Sequence, residues 1–460
     1  MWISRKKSWI RKYNLSRHVD DTSLVCHAPS NSMYFNVHGE VGPCWLNLTE
    51  MGKYPENTIS EIWFGEQFSK LRKAVKSEDL AYRCGTCMHN MKQGNHVSVL
   101  AKLYDYPYPI KEYPTVMEFE LSNKCNLECV MCKGELSSTI RKNREKLPPL
   151  ANPYDLRFVD QLEAFIPHLE EAKFLGGEPF LIDLYYDIWE RIAEIKPDIK
   201  ITITTNATVF NNRVSALLEK LNCSIIVSID SFEKESYLEI RKRANFETVM
   251  TNFDSYLHYT KTKNTYMQVS MNPLRLNWQE MAASIEFVND RNVALWFNTV
   301  VYPNDQAIWT LGAKKLEHIY HTLSEISIAS KPKSCSRFTY DNNVRNYSNL
   351  VNNQIKNWWI KAKEEEEKRS AESMNMSSQE LGAKIKETAW NYVNQDAYIS
   401  EFMKKKELQK IEGALANRLK TENTERLKEL YCLPTGELVD ELKSTVVLEN
   451  GNGQNEEEPG

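Results

Sequence analysis

Three thiols fall within eight residues, at Cys125, Cys129 and Cys132 of Cys125-Asn126-Leu127-Glu128-Cys129-Val130-Met131-Cys132. At i, i+4 and i+7 they converge on one side of a tight loop or helical turn, where thiolates ligate a soft metal centre. The odd number is informative. A cubane iron-sulfur cluster takes four cysteine ligands, so three leave one iron open. Catalytic metal sites keep such an opening and structural sites close it. The motif alone also fits a structural zinc loop or a redox pair of Cys129 and Cys132. A second system lies upstream, where Cys26 and Cys44 flank Met33 to Val41, which reads as a hairpin turning at His38-Gly39. Cys84-Gly85-Thr86-Cys87 completes it. Two thiols from a hairpin and two from a C-x2-C knuckle make a closed four-thiolate site, suited on spacing to zinc and iron-sulfur alike.

The elements that must hold these thiols follow from periodicity. From Tyr113 to Pro303 short β-rich runs alternate with amphipathic helices, the mark of parallel β-α units. The strands are Val116 to Leu121, Ala172 to Leu175, Lys200 to Thr205, Ser224 to Asp230, Thr265 to Asn272 and Ala294 to Val301. Helices over Asp155–Leu169, Ile182–Ile195, Asn212–Leu221, Asn245–Thr260 and Trp278–Arg291 intervene. Six units fall short of the eight of a closed barrel, so an α/β fold with an open, partial (β/α)6 barrel is expected. Between the upstream cysteine pairs, Ile59 to Val75 reads as one helix with Ile62, Trp63, Leu71 and Val75 on its apolar face.

Parallel β-α folds bind ligands at the C-terminal ends of their strands. The second strand ends there in Gly176-Gly177-Glu178-Pro179, the third in Thr204-Thr205-Asn206, and the fourth in Ser228-Ile229-Asp230-Ser231. The glycines allow close backbone approach, and Glu178 offers a carboxylate acceptor for an ammonium group. In the first strand Glu118 and Glu120 alternate with Met117, Phe119 and Leu121. These carboxylates either face the barrel interior, where they need partners or a ligand, or lie on an exposed edge.

The C-x3-C-x2-C spacing, with Met131 before the last cysteine, resembles the radical S-adenosylmethionine (radical SAM) superfamily, and Gly176-Gly177-Glu178-Pro179 resembles its glycine-glycine-glutamate-proline motif. The resemblance implies that a 4Fe-4S cluster on Cys125, Cys129 and Cys132 binds S-adenosylmethionine through its free iron. Reductive cleavage would then yield a 5'-deoxyadenosyl radical that abstracts hydrogen from a substrate. It implies Gly176, Gly177 and Glu178 at the methionine amino group, and Thr204 and Asn206 near the ribose. Ser228 and Arg241 are its candidates for the methionine portion, the latter within Tyr237-Leu238-Glu239-Ile240-Arg241, although Ser231 stands where glycine is commoner. Arg241 is otherwise a solvated helix residue beside Lys242 and Arg243.

Cys26, Gly39, Cys44, Cys84 and Cys87 are similar in order to the first half of the SPASM and twitch auxiliary-cluster domains, which implies a second 4Fe-4S cluster. No cysteine follows from Met88 to Ala101, so one auxiliary cluster is expected, and this module precedes the barrel where it usually follows it. The resemblance runs from Cys26 to Pro303, about 60 per cent of the chain. SPASM and twitch enzymes often act on ribosomally made peptides or protein side chains, which makes a peptide the first expected substrate. A small metabolite such as a sugar or nucleoside is the second. A non-catalytic electron-transfer or scaffold protein is the reading of another class, and Gly176-Gly177-Glu178 and Ser228 stand against it. An electron donor such as flavodoxin or ferredoxin is the implied partner.

The chain has 460 residues and a formal net charge of -4, which gives no reason to expect nucleic acid or an anionic membrane as the main partner. Of ten cysteines, seven sit in the two clusters, the usage of a reducing cytoplasm. Met1 to His18 is basic without an apolar core, and no run of about 18 apolar residues occurs, so a soluble, untargeted protein is expected. The expected divisions are an auxiliary-cluster module over 1–110, the barrel over 111–305, a helical region over 306–445 and a disordered acidic tail over 446–460. Within the helical region, 311–329 reads as one helix, and His318 and His321 decorate an exposed face. Cys335 is a buried or free thiol, Glu364 to Glu367 form a charge run, and Leu408, Ile411, Leu415 and Leu419 make a stripe facing a core or a partner.

Overall fold

Alternation along the strands builds a sheet with one apolar and one polar face. The computed structural model describes residues 7–17, 19, 22–48, 51–96, 99–300, 303–394 and 401–451. The strands are β1 (Ser32–Phe35), β2 (Val41–Gly42), β3 (Val116–Phe119), β4 (Glu171–Phe174), β5 (Lys200–Thr205), β6 (Cys223–Ser228), β7 (Met267–Met271) and β8 (Ala294–Phe297), hydrogen-bonded in the order β2-β1-β3-β4-β5-β6-β7-β8. All six expected strands are present. Two more join them, because the hairpin of the cysteine-rich module lays β1 parallel to β3 and turns back through an antiparallel β2. At the turn the Asn36 side chain accepts the N–H groups of His38 and Glu40. Gly39 takes φ +84°, and a Cβ there would lie 2.2 Å from the Tyr54 carbonyl oxygen, so no other residue fits.

The chain divides into two compact units, the first comprising 1–128, 133–228 and 242–268, the second 129–132, 229–241 and 269–460. These do not follow the divisions expected from composition. In the first unit Met33, Met117, Phe119, Ala172, Phe174, Ile201, Ile203, Ile225 and Val227 are buried. Their face packs on the flanking helices, as where Phe174 meets Tyr185 and Trp189 of helix Asp183–Ile195. The expected helix Ile59–Val75 is two helices, Ile59–Trp63 and Glu66–Lys76, separated by Gly65, where a Cβ would meet the Glu61 carbonyl oxygen at 2.4 Å. Its four apolar-face residues are all buried nonetheless.

In the second unit the helical region is a bundle with its own core. Leu408, Ile411 and Leu415 of helix Glu401–Thr421 are buried among Leu381, Ile385, Leu427, Leu430, Leu438 and Leu442. Leu419 lies over Gly382, which has no room for a Cβ beneath it. The stripe therefore faces the bundle's interior, where each fully buried leucine contributes about 1.5–3 kcal/mol. The helix expected over 311–329 is shorter, Ala313–Ser324, and Cys335 is a buried free thiol. His318 and His321 are exposed, each in ring contact with an indole, Trp278 and Trp359 respectively. The last helix, Thr435–Gly451, runs into the stretch expected to be disordered, and 452–460 lie outside the described residues. Among the described residues no helix is long and apolar enough to cross a membrane.

Candidate metal centres

Cys26, Cys44, Cys84 and Cys87 line one cavity together with Pro29, Pro43, Leu80, Met91 and Tyr104. Among the described residues no three His, Cys, Asp or Glu side chains close on a single-ion site. Cys84 caps helix Gly85–Lys92 and Cys87 lies in its first turn, so the helix start sets the C-x2-C pair. Burial, and then the nearness of the other thiols, pushes the Cys26 thiol well up. Burial likewise raises Cys44 to about 12 and Cys84 to about 11. Four thiols that oppose each other's ionisation in an apolar cavity fit a positive centre, which a metal group would supply. Donors are already arranged around the sulfurs. Backbone N–H groups of Ala28, of Leu46 and Asn47, and of Leu100 and Ala101 reach Cys26, Cys44 and Cys87 respectively, and the Asn47 carboxamide lies 4.0 Å from the Cys84 sulfur. This donor set fits a centre fully ligated by protein.

Elsewhere in the first unit, the strand ends hold Cys125. Its N–H bonds to the Ser138 hydroxyl and its carbonyl accepts from Thr139, while the Asn206 carboxamide lies 3.9 Å from its sulfur. The Gly177 N–H donates to the Ser122 carbonyl and the Glu178 N–H to that of Lys124. A Cβ at Gly176, which takes φ +95°, would sit 2.8 Å from the Ser122 oxygen, and one at Gly177 2.3 Å from the Lys124 oxygen. Both glycines are thus required by the backbone leading into the cysteine loop. Glu178 is fully buried, and its carboxylate accepts from the Thr205 hydroxyl at 2.8 Å and the N–H groups of Asn206 at 2.7 Å and Phe180 at 3.2 Å. Sequence reasoning offered this carboxylate to a ligand. The structure shows a tie between the ends of β4 and β5.

The polar face of the sheet carries a row in register across five strands, Tyr34, Glu118, Lys173, Thr202 and Ser224. Thr204 and Ser228 continue it by the two-residue period and are partly exposed. Glu118 pairs with Lys173 at 3.6 Å and accepts from the Tyr106 hydroxyl at 3.2 Å. Glu120 accepts from Tyr34, and burial holds its carboxyl above the usual range. Both carboxylates therefore lie on the polar face with partners. Tyr34, Tyr106 and Lys173 were missed from sequence, although a lysine inside an otherwise apolar strand was a signal.

The second unit holds Cys129 and Cys132. The Val130 N–H donates to the Ile240 carbonyl at 2.9 Å, and Val130 and Met131 pack on Ile240, Leu274, Val300 and Ala307. Arg241 is not solvated. It is 4% exposed, and it pairs at 2.8 Å with Asp230, whose other oxygen accepts the backbone and side-chain N–H groups of Asn272. Burial alone would lower the guanidinium's affinity for its proton, but Asp230, Cys129 and Tyr237 outweigh it and hold Arg241 charged. Its Nε donates to no described residue, leaving a buried donor near Cys129 that fits an anionic group.

Residues 119–288 match the radical SAM superfamily model, and residues 26–88 match SPASM, an iron-sulfur cluster-binding domain. The GTP 3',8-cyclase of Chlorobaculum tepidum is 26% identical over 198 residues, 42% of this chain and 55% of that protein. That of Limosilactobacillus fermentum is 28% identical over 204 residues, 43% and 57%. The chain spans about half the length of these curated relatives. Among solved structures, anSMEcpe with bound AdoMet aligns at 15% identity and a TM-score of 0.35, over 46% of this chain and 60% of that one. Streptococcus suis SuiB bound to S-adenosylmethionine aligns at 15% and 0.34, over 56% and 59%. Radical SAM enzymes require a 4Fe-4S cluster and S-adenosylmethionine, and a SPASM domain indicates an additional iron-sulfur cluster. The chain therefore carries a radical SAM superfamily domain over 119–288, preceded by a SPASM iron-sulfur cluster-binding domain over 26–88.

Proposed function

We propose that Cys125, Cys129 and Cys132 hold the S-adenosylmethionine-binding 4Fe-4S cluster, that Cys26, Cys44, Cys84 and Cys87 hold the second, and that the enzyme modifies a peptide or protein side chain. When bound, the first cluster and S-adenosylmethionine supply reductive cleavage to a 5'-deoxyadenosyl radical. The chain's own part is positioning. Gly176 and Gly177 let the cysteine loop lie against the end of β4, Glu178 locks β4 to β5, and Asn206 reaches the Cys125 sulfur. Thr204, Asn206 and Ser228 stand at strand ends for the nucleoside and methionine portions. Arg241, held charged by Asp230, offers its spare Nε to an anion.

The observation that carries the peptide reading is the gathering of all four cysteines of the SPASM match around one cavity. A second reading, a small-molecule substrate such as a nucleotide, is favoured by the relatives named GTP 3',8-cyclase, whose matched length is close to that of the barrel alone. Anaerobic incubation with reductant, S-adenosylmethionine and size-fractionated cell extract separates the two. A peptide substrate predicts that a fraction destroyed by protease stimulates 5'-deoxyadenosine formation. Stimulation by a protease-resistant low-mass fraction or by GTP, with a modified nucleotide in the mass spectrum, would establish the second reading.

A further inference from the structure

The module that carries the four-thiol cavity has a surface whose charge runs against that of the whole chain. Helix Ser8–Leu15 exposes Ser8, Arg11, Lys12 and Leu15 at the spacing of one helical face, while Ile10 and Tyr13 turn inward. It packs beside helix Gly85–Lys92, where Lys92 lies 5.8 Å from the Trp9 ring and the Tyr13 and His96 rings meet edge to face at 5.9 Å. The second helix exposes Gly85, Thr86, His89 and Lys92. Lys7, on the rim, lies 5.8 Å from the same Trp9 ring.

Residues 7–17 and 84–96 contain Lys7, Arg11, Lys12, Arg17 and Lys92 and no Asp or Glu, in a chain with 62 acidic against 58 basic residues. Arg17 is neutralised by buried Asp105. Among the described residues the other four have no carboxylate partner, and Lys7 reaches only the Glu78 backbone carbonyl. Lys7 and Lys92 flank one indole with Arg11 and Lys12 exposed on the helix that carries it, and like charges held together repel, so the arrangement costs free energy unless an anionic partner offsets it. Leu15 is 88% exposed on the same face, an apolar contact inside a cationic rim. The patch also lies on the helix whose cap and first turn supply Cys84 and Cys87.

We propose that this face docks an acidic one-electron donor protein and that electrons enter through the cluster held by Cys26, Cys44, Cys84 and Cys87. The inference rests on the assignment of that cluster above. In the step the donor loses one electron, the cluster gains it, and no covalent bond changes. Charge complementarity favours this occupant, and the position over two cluster ligands gives it a task that an acidic peptide docked there would not have.

The test uses the full-length, reconstituted protein and its Lys7→Glu/Arg11→Glu/Lys12→Glu/Lys92→Glu variant, with stopped-flow reduction by flavodoxin hydroquinone and by the methyl viologen radical cation. Iron content comes first: about eight irons per chain in both proteins upholds the second cluster, whereas about four in the wild type removes the reading on which the inference rests. With both clusters present, the variant should be reduced by flavodoxin on the order of 10- to 100-fold more slowly at low salt, and no more slowly by methyl viologen. Raising ionic strength should slow the wild type towards the variant. Equal flavodoxin rates in the two proteins, or a rate indifferent to salt, would overturn the proposal. So would unchanged electron transfer with loss of acidic-peptide binding, which would assign the face to a peptide. A milder set of Lys→Gln and Arg→Gln changes should give an intermediate rate, and no change there alongside a slow charge-reversed variant would point to damage instead of docking.

Discussion

The four-thiol cavity and the three-thiol loop are built on opposite plans. The first lies within one compact unit, enclosed by apolar side chains and supplied with N–H donors to its sulfurs. The second is a short loop whose residues divide between the units, with Cys125 fastened by Ser138, Thr139 and Asn206, and Val130 and Met131 fastened to Ile240 and its apolar neighbours. A closed thiolate set spends every ligand position on protein, and an open one leaves a position for chemistry. The glycines and the buried glutamate after β4 serve the open loop, while Gly39 and Gly42 shape the hairpin of the closed one, where added Cβ atoms would lie 2.2 and 2.1 Å from backbone oxygens.

The largest expected effect breaks the open side. Replacing Cys125, Cys129 and Cys132 with alanine should reduce 5'-deoxyadenosine formation to background and lower iron from about eight to about four per chain, by mass spectrometry and iron analysis. Changing Cys84 and Cys87 to alanine should remove about as much iron, from the other cluster, but leave substrate-free cleavage of S-adenosylmethionine measurable. It should also lower the thermal midpoint, because metal binding is part of that module's folding free energy. Loss of all cleavage in a folded double variant would erase the functional distinction between the two sites.

Arg241→Met sharpens the comparison from the second unit. It strands buried Asp230 without its partner, a loss of about 3–5 kcal/mol in urea unfolding, and Asp230→Asn added to it should recover part. An effect below 1 kcal/mol would show the pair to be solvated. Next in size is Gly177→Ala, whose Cβ meets the Lys124 oxygen at 2.3 Å. Displacing the loop entry should cost about 1–3 kcal/mol and weaken S-adenosylmethionine binding about tenfold, read by equilibrium dialysis.

How much of this was legible in the sequence depends on the range of the interaction. The six strands were, because polar-apolar alternation is local and the register Glu118, Lys173, Thr202 repeats it in three strands. So was the Leu408–Leu415 stripe, although not that its partners were the neighbouring helices. The addition of β1 to the sheet edge was not, since four residues carry no mark of which distant strand they join. Nor was the Asp230–Arg241 pair. Arg241 beside Lys242 and Arg243 looks like a charged surface, and only folding buries one of the three. Glu178 was found for its motif, but its hydrogen bonds to Thr205, Asn206 and Phe180 needed coordinates to see.

The smallest expected effect is on pH dependence. Burial would raise the Glu135 carboxyl, but hydrogen bonds and charge from His38 and Lys133 outweigh it and bring it down to about 2 from 4.5. A carboxyl lowered on folding binds fewer protons folded than unfolded, so its stabilisation is complete above about pH 4.5 and is lost as pH falls towards 2. Glu135→Gln should flatten the stability curve across that window, lowering stability by a constant amount above it and leaving it unchanged below, by denaturant titration at each pH.

The contrast between the open and the closed site is tested most directly by electron paramagnetic resonance of the reduced protein with and without S-adenosylmethionine. The account predicts two 4Fe-4S signals, of which one shifts when S-adenosylmethionine is added. That signal should be absent when Cys125, Cys129 and Cys132 are alanine and should remain when Cys84 and Cys87 are. A shift in the signal that survives loss of the three-cysteine loop would contradict it.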